Sequence, residues 1–297
     1  MQVPTTLFYD GLSKRMSGLN ARATELQTQI ATGKKLKAPS DDAVASQQLA
    51  EFKRRDADAG VYGRNMTVAG ALLKQTDSTL DAITLQIQRA IVLTTQAGNG
   101  TLTPESRAVI GTELAAIVDQ LVELGNSKDI RGEPLFGSAD GTKAVQRAPD
   151  GSFSFVATKV SDIPVGDGQT VQATESASRV FEFGGTNILA VLSTLATALQ
   201  SGTGGAGVAS DALDELNAAD DQVNLVRTSV GARAARIELG QAVLVETNTD
   251  REELRSALED TDVTAAITEL QKTLTVLQAT QASFTKMTSL SLFNYLR

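Results

Sequence analysis

Among its 297 residues the chain has no cysteine, no histidine and no tryptophan, and aromatic side chains make up only 4% of the total. Without cysteine there are no disulfides or thiolate metal sites, and without histidine there is no imidazole ligand and no catalytic triad built on that residue. Long apolar runs are missing too, since no stretch approaches the roughly 18 uninterrupted apolar residues of a membrane span. The start, MQVPTTLFYDGLSKRM, lacks the basic head, apolar block and small-residue cleavage site of a secretory signal, so none is expected to be removed. Basic residues number 27 against 35 acidic ones, a net charge of -8. That balance argues against a nucleic-acid partner, whose phosphates select a basic face. No membrane insertion, no cofactor and no bound metal are expected.

What is present is helical rhythm. Leu12, Met16, Leu19, Ala23, Leu26 and Ile30 step by four and three alternately, a coiled-coil stripe along one helix. An isolated helix of this length is marginal in water, so the stripe asks for a partner. The same step runs through Met66, Ala69, Leu73, Thr76, Leu80, Ile83, Ile87 and Ala90 until Gly98 and Gly100 stop it. A helix from the paired aspartates to there would extend about 85 Å at 1.5 Å per residue. Thr103 and Pro104 open a third helix with Ile110, Leu114, Ile117, Leu121 and Leu124 as its stripe, and the short loop makes it an antiparallel neighbour of the second. Between Gly132 and Gly185 the texture changes. Phe153, Phe155, Val180, Phe181 and Phe183 sit in short alternating runs, and Asp150-Gly151 and Asp167-Gly168 are hairpin-turn signals. A helix from Asn187 to Leu199 and a flexible stretch, SGTGGAG, follow. Leu216, Val223, Val230, Ile237 and Leu244 then recur at every seventh residue, with Ala219, Val226 and Gly240 between them and Arg233 breaking the second set. The last stripe is Val263, Ile267, Leu270, Leu274, Leu277 and Phe284.

Both terminal stripes are set off by a joint, Gly33 to Pro39 at one end and Glu259 to Thr261 at the other. Pro39 disfavours helix at Ala38, and Ser40 or Asp41 can then cap a helix whose first amides favour Asp41 and Asp42. Adjacent carboxylates there read as capping groups rather than an acid pair or metal ligands. Lys34, Lys35 and Lys37 read as a solvated loop. Gly202, Gly204 and Gly207 spell a dinucleotide-binding spacing, but they follow a helix where that motif requires a strand, so a linker is expected.

The stretch QIATGKKLKAPSDDAVAS resembles the N-terminal signature of the bacterial flagellin family: an apolar helix, a short Gly and basic loop, then paired Asp. With Pro39 before Ser40, Asp41 and Asp42, and with the ending MTSLSLFNYLR, it is more similar to the family's hook-filament junction members than to its filament members. QAGNGTLTPESR and RGEPLFGS carry the resemblance through the helical part, about two thirds of the chain. Ala43 departs from it, standing where a Pro often follows the paired Asp.

The resemblance implies a mainly α fold: a long antiparallel helical rod with coiled-coil packing and a small β-rich inserted domain, its terminal helices disordered in the free monomer. The expected divisions are 1–38 as N-terminal assembly helix, 39–131 as the first part of the rod, and 132–207 as a β-rich variable domain with a short helix. The returning rod helix is 208–259 and the C-terminal assembly helix 260–297. It further implies a non-enzymatic structural subunit exported by the flagellar type III route. Its implied partners are hook-associated protein 1 on the hook side, flagellin on the filament side, copies of itself in a ring, and an export chaperone. The assembly contacts would come from Leu12, Met16, Leu19, Leu26, Ile30, Val263, Ile267, Leu270, Leu274, Leu277 and Phe284, with Leu290, Leu292 and Phe293 at the end. Gly33, Pro39, Ser40, Asp41 and Asp42 would form the joint. The alternatives are a filament-forming flagellin and a secreted coiled-coil adhesin binding through the β-rich insertion. The metallopeptidase insert of some flagellin relatives needs histidine ligands that this chain lacks.

Overall fold

A computed structural model of the protein describes residues 3–129, 132–137, 143–156 and 162–295; the side chains of 3–6, 8 and 288–295 are outside it. Three helices come first, α1 (Val3–Thr32), α2 (Ala43–Ala97) and α3 (Pro104–Gly125). Four strands follow: β1 (Val145–Arg147), β2 (Phe153–Phe155), β3 (Asp162–Gly166) and β4 (Gln169–Gln172). Then come α4 (Ala177–Phe181), β5 (Glu182–Phe183), β6 (Thr186–Asn187), α5 (Ile188–Gln200), α6 (Ala206–Glu259) and α7 (Val263–Tyr295). The chain divides into two units, one of Met1–Ala57 with Thr247–Arg297, the other of Asp58–Glu246.

In the second unit the long helices form where the periodicity places them. Every member of the α2 stripe from Met66 to Ala90 is buried, and so are Leu114, Ile117 and Leu121 of α3 and Leu216, Val223, Val230 and Ile237 of α6. Each such Leu or Ile contributes about 1.5 to 3 kcal/mol relative to exposure. α2 and α6 run antiparallel: Gly63 lies beside Leu244 and Gly70 beside Ile237, and Arg227 reaches Asp77 at 2.9 Å. Local chemistry sets the helix starts. The Thr103 hydroxyl accepts from the amide of Ser106 at 3.3 Å, with Pro104 in the first turn, and the Asn187 side chain accepts from Ala190 N at 2.8 Å. Helices α3 and α5 approach closely at Gly111, where a Cβ would stand 2.8 Å from the Ala196 carbonyl oxygen.

Segment 132–207 holds the described strands, as three antiparallel two-stranded sheets, β1-β2, β3-β4 and β5-β6. Gly151 and Gly168 take the positive φ that their turns need, 85° and 64°. The buried residues of this segment, Phe136, Val145 and Phe181 among them, join the apolar core of the long helices. Val180 and Phe181 correct the sequence reading, for they lie in α4 and not in a strand. Both are buried at successive positions, which a strand with one wet face cannot provide, and the Ser176 hydroxyl caps the turn by accepting from Arg179 N at 3.3 Å. SGTGGAG is also better ordered than expected. Gly204 N donates to Ala198 O at 2.7 Å, and Gly204 is buried against the end of α5 as a helix-terminating turn that opens α6.

Arg233 breaks the α6 stripe for a reason invisible in the sequence. Its guanidinium donates to Gln172 O at 2.9 Å and pairs with Glu175, a buried carboxylate that Arg179 also holds. The β3-β4 hairpin is thereby tied to α6.

The terminal helices, expected to lack order in the free chain, are helical here and packed on each other within one chain. The reason is physical: a helix with an apolar stripe needs a partner, and the other end of the same chain supplies one for the α1 stripe and for part of that of α7.

Candidate functional site

The first unit contains the joints and the terminal helices. α1 ends where Gly33 adopts a φ of 71°, a left-handed conformation open to glycine and strained for other residues. The Asp41 carboxylate then accepts from the amides of Lys37 and Ala38, each at 2.9 Å, and closes the loop on itself. Those backbone bonds, Ala38 first and then Lys37, hold the Asp41 carboxyl below its ordinary value. Asp42 does the capping, accepting from Val44 N at 3.0 Å and Ala45 N at 2.9 Å. The paired aspartates thus divide two tasks. Pro39 and Ser40 are exposed at the bend.

At the other joint the Asp262 side chain accepts from Ala265 N at 3.0 Å and starts α7. The two joints meet. Lys35 N donates to Glu259 O, and Thr261 N to Gly33 O, both at 2.8 Å, an antiparallel bridge centred on Lys34 and Asp260. Lys34 pairs with the Glu259 carboxylate, and the Lys35 ammonium donates to Ala257 O at 3.1 Å. Cations at the last carbonyls of α6 complement its dipole. All three loop lysines are exposed, as their reading as a solvated loop has it, and two of them also bind the end of α6. Farther along, Arg251 reaches Asp56 and ties α6 to α2 within this unit.

Below the joints α1 turns its whole expected stripe inward, with Ala23 and Leu26 buried and Leu12, Met16, Leu19 and Ile30 half-buried. Tyr9 and Phe284 meet edge to face at 5.7 Å. α7 behaves differently. Leu277 is buried and Leu270 and Phe284 half-buried as expected, but Val263, Ile267 and Leu274 are exposed. Ala266, Thr273 and Thr280 take the inner positions instead, the first two buried and the third half-buried. Small residues at seven-residue spacing mark this second inner line, a signal masked by the larger apolar residues beside it. A groove lined by Leu12, Leu19, Val276 and Ala279 stays open along the pair. Leu290, Leu292 and Phe293 fall within α7, but their side chains lie outside the described residues. Among the described residues no cluster of three or more His, Cys, Asp or Glu is placed to hold a metal ion, and no helix is long and apolar enough to cross a membrane.

Comparison with known proteins accords with this geometry. Residues 8–140 match the bacterial flagellin N-terminal helical region and residues 213–296 the C-terminal helical region. Flagellar hook-associated protein 3 of Salmonella typhimurium is 26% identical, the match covering 99% of each chain. A flagellin of Listeria innocua is 21% identical over 92% of this chain and 90% of its own length. The crystal structure of the flagellar junction protein FlgL from Legionella pneumophila superposes with a TM-score of 0.59 at 15% identity, over 73% of this chain and all of the other. With both ends matched and the helical fold shared, the chain belongs to the bacterial flagellin family.

Proposed function

We propose that the chain is a structural, non-enzymatic subunit of the bacterial flagellum at the hook-filament junction, and that it assembles through its terminal helices. The observation that carries this reading is the divided face of α7. Its small residues meet α1, while Val263, Ile267 and Leu274 stay partly exposed, at 41%, 42% and 37%, on a helix that, from Val263 to Met287, bears only Glu269, Lys272 and Lys286 as charges. Large apolar side chains partly open to water on so weakly charged a helix call for a neighbouring subunit. The match to hook-associated protein 3 over nearly the whole chain favours the junction over the filament.

In this reading Leu12, Met16, Leu19, Leu26 and Ile30 hold the terminal pair together, with Leu270, Leu277 and Phe284 opposite them. Val263, Ile267 and Leu274 meet neighbours, joined by Leu290, Leu292 and Phe293 at the end. The clamped joints, Gly33 to Asp42 with Glu259 to Thr261, set the angle of the pair. Hook-associated protein 1 lies on the hook side and flagellin on the filament side, with copies of the chain completing the level. The subunit leaves the cell by the flagellar export route with a chaperone and ends outside the cell.

The test uses Leu274→Asp and Leu19→Asp in a motile strain. Both variants keep the Asp58–Glu246 unit folded by circular dichroism and lose incorporation into isolated flagella; incorporation at the normal level by Leu274→Asp sinks the interface assignment. Long filaments grown from the purified chain alone on flagellin seeds in sulfate would instead make it a filament subunit.

A further inference from the structure

In the second unit α2 and α6 each carry a second stripe opposite the buried one. On α2 the four-and-three step runs through Arg64, Val68, Ala71, Gln75, Ser78, Ala82, Leu85, Arg89 and Val92, exposed except for half-buried Gln75 and Ala82, with Leu85 at 59%. On α6 it runs through Asp221, Leu225, Ala232, Leu239 and Glu246, also exposed, with Leu239 at 67%. A solvent face of a helix is ordinarily rich in charge, whereas these carry none between Arg64 and Arg89 or between Asp221 and Glu246, and are apolar or small there apart from Gln75, which donates to Lys128 O at 3.0 Å, and Thr228, which donates to Asn224 O at 2.8 Å. Because α2 and α6 pack through their buried stripes, the outer stripes point to opposite sides of the unit.

The charges at the ends are complementary. α2 carries arginine at the start and near the end of its outer stripe and α6 carries a carboxylate at both ends, and Arg64 and Arg89 are separated by as many residues as Asp221 and Glu246. Laid antiparallel with Arg64 against Glu246, the helices bring Arg89 against Asp221 in the same register. That register also sets Ala71 against Leu239, Val92 against Ala218 and Ser78 against Ala232, so that large residues face small ones or each other without a buried charge. Arg64, Asp221 and Glu246 make no ion pair among the described residues; Arg89 is shared with Glu113 across an exposed contact.

We propose that successive copies of this chain pack side by side through these two faces, α2 of one copy on α6 of the next. The contact is heterologous, joining unlike patches on opposite sides of one unit, which is the form that propagates around a ring or along a helical array. Antiparallel pairing follows without further assumption: copies related by rotation about a common axis point the same way, while α2 and α6 of each chain run oppositely. The inference rests on the reading of the chain as a flagellar subunit that meets copies of itself, and it supplies the surface and register of that meeting.

The natural absence of cysteine makes the test clean. Full-length chain carrying Ser78→Cys and Ala232→Cys is expressed in a motile strain in place of the natural one, and isolated flagella are treated with an oxidant or a short bismaleimide. A ladder of covalent multimers is expected from the double variant and none from either single variant. Charge exchange gives a second reading: Arg64→Glu alone or Glu246→Arg alone lowers incorporation about fivefold, and the two together restore it. Chain that is incorporated but gives no ladder, or singles that incorporate normally, overturns the contact. Natural chain absent from the flagella overturns the flagellar reading beneath it.

Discussion

The two units bury their helices to different degrees. In Asp58–Glu246 the inner stripe of α2 closes from Met66 to Ala90, and Leu80, Ile83 and Ile87 are fully buried. In the unit of the two ends the corresponding positions are mostly half-covered, and three large residues of α7 face water. Helical order is alike in both; burial is not. A helix can therefore be fully formed and still lack the contacts that fix it: in the unit of the two ends the open positions lie on the expected stripe itself, whereas in Asp58–Glu246 they lie on faces away from the buried stripe.

The contrast is broken most strongly in the closed unit. Leu80→Ala removes a wholly buried side chain and is expected to lower its unfolding free energy by about 4 kcal/mol. The same change at half-buried Leu19 should cost less than about 1.5 kcal/mol there and act mainly on assembly. Denaturant unfolding followed by hydrogen exchange of each unit separates the two effects, and equal losses would erase the contrast. Next in size, Glu175→Ala leaves the guanidinium of Arg233 inside without its carboxylate, a loss of about 3 kcal/mol. It should also release β3-β4 exchange protection first, because that hairpin hangs on the same arginine.

Much of this was legible from residue spacing. The α2 and α6 stripes were visible because many apolar residues repeat at fixed spacing on a long helix, and the starts of α3 and α5 because Thr103, Pro104 and Asn187 act on their own neighbours. The inner line of α7 was hidden because Ala266, Thr273 and Thr280 bury little area each, so Ile267 and Leu274 dominate the periodicity while facing outward. Lys34 is exposed as the sequence suggests, but its pairing was hidden for another reason: its partner Glu259 lies 225 residues away in sequence. Arg233 likewise stood out as an anomaly whose partners only the fold brings near.

The joint sharpens the comparison at smaller energies. Gly33→Ala forces a residue with a Cβ into a φ of 71°, with open space around it, so strain alone acts and about 1 kcal/mol is expected. The loss should appear as faster exchange at Lys35 N and Thr261 N, which donate across the bridge, with the Asp58–Glu246 unit unchanged.

The smallest effect is electrostatic. Asp41 has a carboxyl lowered by the Ala38 and Lys37 amides, so the folded joint favours its charged form. Its contribution is fully present above the unfolded value near 4 and disappears as pH falls through the lower folded value. Glu51, lowered to about 2 by Arg54 and Arg55, follows the same sign on the exposed start of α2. Acidification from pH 5 to pH 2 should therefore loosen Lys37 and Ala38 amides after correction for intrinsic exchange, while amides of the α2 stripe near Leu80 hold. Asp41→Asn, which keeps the shape without the titration, should flatten that dependence at the loop and leave the part due to Glu51. An unchanged profile in Asp41→Asn would mean that the loop is held by the cross-joint bridge alone, and that the paired aspartates share one task rather than dividing two.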